Sequence, residues 1–282
     1  MIARIRLVLA SLAFALVVLL LVPIQFVLVK AGLGLRRKLP LLFHRSMLRI
    51  LGVRVHVHGV PAQGRPLLLA ANHSSWSDIV VLASLFEMSF IAKAEVAQWP
   101  LFGLLSKLQD TVFVERNRPG KTRAQASEIA RRLAAGDVMV LFAEGTTSDG
   151  NRILPFKSSL FGAAQLATKE TEAKQVVIQP VAIAYTRVHG IPMGRFHRPI
   201  IAWPGDVELG PSLLGMLREG AFDVDVRFGE PVTIDEDSDR KALTRVMEDR
   251  VRRMMQTSLM GREFGEADDE GNSAILKQAK NR

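Results

Sequence analysis

The sequence predicts an α/β fold: a mixed, mostly parallel sheet flanked by helices, behind an N-terminal hydrophobic membrane-anchor helix and an interfacial amphipathic helix. Three observations predict it. Short apolar runs recur at 53–57, 67–70, 90–92, 112–114, 138–142, 176–184 and 222–228, the length and composition of strands. Helix-like stretches alternate with them, which is the pattern of an α/β sheet rather than of separate layers. Residues 7–29 form 23 consecutive positions without a charge, enough to cross a hydrocarbon core of roughly 30 Å. A chain of 282 residues that is 48% apolar buries one substantial core. The expected organisation is a membrane anchor and interfacial helix over 1–52, an α/β domain over 53–260, and a polar, disordered tail over 261–282 that carries Glu266, Asp268, Asp269 and Glu270.

The elements follow in order. Pro23 inside the apolar run leaves open whether the helix spans the bilayer or re-enters one leaflet. A cleaved leader would have a shorter apolar centre followed by a small-x-small site, and neither is seen. Lys30, Arg36, Arg37, Lys38, Arg45, Arg49 and Arg54 follow, far more positive charge than Arg4 and Arg6 before it, so the body is expected on the cytoplasmic face of the membrane. Over 41–51, Phe43, Met47, Ile50 and Leu51 share one helical stripe while Arg45 and Arg49 point away, which suits a helix at the interface or one packed on a core. The strand at 53–57 alternates valine with Arg54 and His56; His56 and His58 belong to its polar face and are assigned no metal. Helices are expected at 122–135, closed by Gly136, and at 158–168.

Charge and cysteine usage exclude several classes. Residues 1–77 hold ten Lys or Arg and no Asp or Glu, while the rest of the chain holds 27 basic and 28 acidic residues, so the net charge of +9 sits beside the apolar segment. A nucleic-acid binder would carry its basic patch on the folded domain among stacking aromatics; anionic lipid is the better partner. With no cysteine there is no disulfide, no thiolate metal site and no cysteine acyl-enzyme.

The chemistry gathers where the apolar strand at 67–70 runs into Asn72-His73-Ser74-Ser75-Trp76-Ser77-Asp78, ahead of the helix-like IVVLASL. In open α/β sheets ligands bind at that end of the strands. Asp78, five residues after His73, can hold one imidazole nitrogen through a turn and leave the other to accept a proton from an alcohol. That provides a base and its orienter without a nucleophile, although Ser77 or Asp78 could equally be a helix cap, and Ser74 or Ser75 could in principle serve a serine hydrolase. Three more polar islands end apolar runs: Lys93, the stretch Glu115-Arg116-Asn117-Arg118, and Glu144-Gly145-Thr146-Thr147-Ser148-Asp149-Gly150.

With these residues the chain resembles the lysophosphatidate acyltransferase-like family of glycerolipid acyltransferases. Asn72, His73, Ser75 and Asp78 match its Asn-His-x-Ser-x-x-Asp motif; Val112 to Arg116 match the second; Phe142-Ala143-Glu144-Gly145-Thr146-Thr147-Ser148 matches the third in part; the apolar run around Pro180 matches the fourth. The resemblance covers roughly residues 50 to 235 and implies that 53–260 is an acyltransferase domain in which His73 deprotonates the acceptor hydroxyl, Asp78 orients it, and the oxygen attacks a fatty acyl thioester directly. It implies substrate contacts from Asn72, Ser75, Arg116, Glu144, Gly145, Thr146 and Thr147, to which Lys93, a cation at a strand end, is added from its position alone; it also implies an acyl carrier protein or acyl-CoA donor, a lyso-lipid acceptor in a lipid bilayer, and neither metal nor cofactor.

One departure bears on the acceptor. Thr147 stands where the motif has arginine, which removes a bidentate, permanently charged phosphate clamp. The runs EGTTSDGN, LPFKSSLFGAA and AYTRVHGIPMGRFHRP are similar to the bacterial branch that acylates lyso-ornithine lipid on the hydroxyl of its amide-linked fatty acid. Lysophosphatidate, held by Arg116, Arg118 and Lys157, stands as the alternative acceptor, and a non-catalytic lipid-binding protein as the alternative class.

Overall fold

The structure, a computed structural model, describes residues 2–115, 119–170, 174–205 and 208–261. The tail expected at 261–282 therefore lies, from residue 262, outside the described residues.

The chain opens with helix α1 (Ile2–Lys30), a span long and apolar enough to cross a membrane and almost wholly unburied. Pro23 is accommodated inside it. The helix does not stand clear of the body. Arg6 near its start donates through Nη2 to the carbonyls of Ile50 and Leu51, and Gln25 near its end donates through Nε2 to the carbonyls of Arg36 and Leu108. Between those fastenings Leu7, Phe14 and Val17 pack on the core while Val8, Leu9, Leu12, Leu16, Leu19 and Leu20 face outward. The amphipathic helix expected next is α2 (Leu39–Leu51), whose stripe of Met47, Leu48 and Leu51 is turned onto the body and whose Arg45 reaches the carbonyl of Ser84. Gly52, in the left-handed conformation, stops it, donating to the carbonyls of Arg49 and Leu48.

The strands β1 (Val53–His58), β2 (Leu67–Ala71), β3 (Ser89–Lys93), β4 (Val112–Val114), β5 (Val138–Phe142), β6 (Val176–Val188), β7 (Ile191–Pro192), β8 (Phe222–Phe228) and β9 (Val232–Ile234) form one sheet in the order β1-β8-β6-β2-β5-β3-β4, with β7 and β9 added to β6. Pairing is parallel except along β6, which runs antiparallel to β7, β8 and β9. The sheet is thus mixed and mostly parallel through its centre. Central β2 and β5 are buried throughout, which explains their unbroken apolar sequences, whereas edge strand β1 alternates because one face meets solvent. On that face His56 pairs with Asp223 at 3.0 Å and His58 lies 3.5 Å from Asp225. Pro180 falls where β6 changes partner from β9, paired up to Ile178, to β8, paired from Val181; its carbonyl accepts from Gly229, and its missing N–H falls in the gap between the two ladders.

Helices cover both faces. Leu67, Leu69 and Ala71 of β2 point into the core under α1, α2, α3 (Ser77–Ala83) and α7 (Leu209–Glu219); Leu68 and Ala70 point into the core under α5 (Pro119–Ala134), α6 (Gly162–Glu170) and α8 (Arg240–Leu259). Short α4 (Phe102–Leu108) lies beside the end of α1. The helix expected at 158–168 begins as a tight 3-10 turn over Ser158–Phe161 and becomes α6 only from Gly162.

Candidate active site

Strand β2 sits between β5 and β6, so the chain leaving its C-terminal end emerges at the centre of the sheet. Asn72 continues the pairing with its side chain: Nδ2 donates to the carbonyl of Ile183 at 2.9 Å and Oδ1 accepts from the Ile183 N–H at 2.8 Å. It is fully buried. Its place is in the frame, not on a cavity wall.

His73 follows with its backbone clamped on both sides. Its N–H donates to Glu144 Oε1 at 2.7 Å, and its carbonyl accepts from the Ser148 N–H at 2.8 Å. The ring stacks on Phe142 with centroids 3.8 Å apart and planes 13° from parallel. Its Nδ1 lies 2.9 Å from Asp78 Oδ2. A carboxylate only accepts, so Nδ1 carries the proton and Nε2 is left as an acceptor.

Asp78 is fully buried at the start of α3, and every contact it makes suits a carboxylate. Oδ2 also accepts the N–H groups of Ser74 at 2.7 Å and Ser75 at 2.9 Å, and Oδ1 accepts the phenol of Tyr185 at 2.9 Å. Burial and the neighbouring Asp78 charge push the Tyr185 pKa well above 10, so the hydroxyl stays protonated and donates. Ser77 Oγ lies 2.7 Å from that hydroxyl and 2.9 Å from Ser75 Oγ. Ser74 and Ser75 are buried and serve Asp78 through their backbone, an arrangement that does not present a serine nucleophile.

Glu144 leaves the end of β5 and lies buried under the site. Its second oxygen accepts the Leu154 N–H at 2.8 Å, so one carboxyl ties the 72–78 loop to the 150–155 loop. Burial outweighs these two hydrogen bonds and raises its pKa to about 8, with the Asp78 charge adding to the rise. Gly145, at φ +73°, turns the chain so that Thr146 and Thr147 border the cavity beside His73.

That cavity, about 750 Å³, runs between His73 and the helices. Phe14 of α1, Met47 and Ile50 of α2, Trp76, and Leu209 and Leu213 of α7 make most of it apolar. Charge enters at Lys93, Glu95 and Glu208, near the edge-on pair Trp99 and Trp203, whose rings are 5.7 Å apart. Of the residues expected to touch substrate, Lys93, Gly145, Thr146 and Thr147 line this cavity with His73; Asn72, Ser75 and Glu144 stand behind it as supports; Arg116 lies outside the described residues. Among the described residues no group of three or more His, Asp or Glu could hold a metal ion. Sequence reasoning missed Tyr185. Its one signal was that it is the sole tyrosine of the chain, at the end of an apolar run.

The family model described as Acyltransferase matches residues 53–184. A lyso-ornithine lipid O-acyltransferase of Brucella abortus (strain 2308) is 58% identical over 95% of this chain and 100% of its own, and one of Rhizobium meliloti (strain 1021) is 51% identical over 93% and 90%. The crystal structure of the 1-acyl-sn-glycerophosphate acyltransferase from Thermotoga maritima superimposes with a TM-score of 0.62 over 94% of this chain and all of that one, at 23% identity, a likeness of fold. With a family model matched over 53–184 and relatives more than half identical along at least nine-tenths of their length, the chain belongs to the acyltransferase family and is an enzyme of that class.

Proposed function

We propose that the protein transfers a fatty acyl group from acyl carrier protein, or from coenzyme A, to the free hydroxyl of lyso-ornithine lipid, at the cytoplasmic face of a bacterial inner membrane. The observation that carries this reading is the 58% identity, over its full length, to a relative that bears that name. The cavity mouth agrees with it. An ornithine headgroup presents one carboxylate and one ammonium, and among the described residues the charges bordering the cavity are of both signs, Lys93 with Glu95 and Glu208.

In this reading His73 Nε2 takes the proton of the acceptor hydroxyl as its oxygen attacks the thioester carbonyl. Asp78 holds the imidazole in the required tautomer and stabilises the imidazolium, which then protonates the departing thiolate. The acyl group passes directly from sulfur to oxygen, with no acyl-enzyme, metal or cofactor. The apolar cavity receives a fatty chain. Helix α1, fastened to the body at Arg6 and again at Gln25, lies along the domain within one leaflet and does not project across the bilayer.

The test presents membranes containing the protein with labelled acyl-acyl carrier protein and either lyso-ornithine lipid or lysophosphatidate. Labelled product from the first acceptor supports the reading; product from lysophosphatidate alone transfers the protein to the glycerophospholipid reaction.

A further inference from the structure

After β6 the chain turns through β7 into a loop, 193–205, that has two unlike sides. Its inner side is fastened to the candidate active site. The Trp203 N–H donates to the carbonyl of Ser74 at 2.8 Å, Arg198 Nη1 donates to Asn151 Oδ1 at 2.8 Å, and Ala202 and Arg198 approach Gly150. Outward, the loop and the β7 strand that leads into it are apolar and bare: Phe196 is 95% exposed and Ile191 68% exposed. Isolated exposed apolar residues are ordinary, but a phenylalanine ring held this far out of the fold buries nothing in the protein. Charge is one-sided as well. From 186 to 205 there is no Asp or Glu, while Arg187, His189, Arg195, His197 and Arg198 all fall in the segment.

The turn before this patch and the start of α1 meet at one place. The Arg6 guanidinium lies over Gly220, so closely that a Cβ there would sit 2.0 Å from Nη2, and next along the same turn the Ala221 carbonyl accepts the His189 N–H at 2.7 Å. The start of α1, with Ile5, Val8 and Leu9 exposed, and the turn at the tip of the β6–β7 hairpin therefore pack on the 220–221 turn.

We propose that the 191–200 segment is a second bilayer contact, in which Phe196 and Ile191 insert among the acyl chains of an anionic leaflet while Arg195 and His197 meet its headgroups. Because Arg198 in this segment holds Asn151 and Trp203 just after it holds Ser74, this contact seats the His73 cavity on the membrane surface, where a lyso-lipid can enter without leaving the leaflet. The proposal rests on the reading of α1 as a membrane helix.

The absence of cysteine makes single-cysteine labelling unambiguous. The full-length variants Phe196→Cys, Leu16→Cys on α1 and Asp237→Cys at the far end of the sheet are labelled with a polarity-sensitive fluorophore and reconstituted into vesicles of phosphatidylcholine and phosphatidylglycerol without carrier protein. We expect blue-shifted emission and quenching by spin-labelled lipids at 196 and 16, and neither at 237. A label at 196 that behaves like the one at 237 while 16 is quenched overturns the second contact; so does a shift at 196 only when acyl carrier protein is added, which would make the loop a docking surface for that protein. An unquenched label at 16 overturns the membrane reading of α1 and the proposal with it. In a separate assay Phe196→Ser should raise the apparent KM for vesicle-embedded lyso-lipid about tenfold, as losing one buried aromatic ring implies, with turnover in detergent micelles retained; an unchanged KM in vesicles counts against the contact.

Discussion

At the scale of single residues, the His73–Asp78 pair depends on a partner 107 positions away from Asp78 in the sequence. Tyr185 supplies the only side-chain hydroxyl given to Asp78 Oδ1 among the described contacts, and a hydrogen bond to a charged group is worth about 1.5–3 kcal/mol. Tyr185→Phe should lower kcat about tenfold or more with little change in KM, since the phenol touches the orienter and lies away from the cavity; an unaltered kcat would remove it from the machinery. Glu144 makes a prediction in pH. Its carboxyl is held at about 8 in the fold against 4.5 when unfolded, so the folded protein binds that proton more tightly. The stability this gives is complete below about 4.5 and is lost as pH rises through about 8. Thermal unfolding of the wild type should therefore show a midpoint that falls across this range, and Glu144→Gln, itself less stable for want of one acceptor, should show a flatter profile; parallel profiles would contradict the assignment. His73 and Asp78 could be read from sequence because they are five residues apart in one turn. Tyr185 and the bracing role of Glu144 could not, because a side chain's partners across a sheet depend on register, which spacing along the chain does not reveal.

At the scale of elements, the strands were legible wherever burial on both faces produced an unbroken apolar run, as in β2 and β5. Strands β7 and β9, two and three residues long, carry too few side chains to show a period. Helix α8 went unread because its charged residues mask the inner stripe of Leu243, Val246, Met247, Val251, Met254 and Met255. The reading of residues 41–51 left two places for one stripe, and packing on the body takes Met47, Leu48 and Leu51. Asn72 links element to site: it carries the β2–β6 connection one residue beyond the ladder. Asn72→Ala strips partners from the N–H and carbonyl of buried Ile183, each costing about 1–3 kcal/mol, so a clear drop in melting temperature is expected along with loss of activity. A variant that melted like the wild type would show that water or a neighbour replaces the side chain.

At the scale of the whole molecule, the sheet divides the protein into a face that borders the His73 cavity and a face closed over by helices. The core containing α1, α2, α3 and α7 opens into the cavity at His73, whereas the one under α5, α6 and α8 closes over the other side. Helix α1, whose Phe14 lines the cavity beside His73, is part of the folded body rather than a tether. The apolar length and basic flank of α1 were legible in the sequence; its course along the domain was not, because it depends on Arg6 and Gln25 meeting carbonyls at the ends of two other helices. The chemistry proposed for this site turns on His73 acting as the base for direct acyl transfer. The most direct test is a single-turnover measurement in vesicles with lyso-ornithine lipid and labelled acyl-acyl carrier protein, comparing the wild type with His73→Ala. The rate of labelled diacyl product should fall about 10²–10⁴-fold in the variant, with membrane association unchanged and no label on the wild-type protein when acceptor is omitted. A rate in the variant close to that of the wild type, or label fixed on the protein, would contradict it.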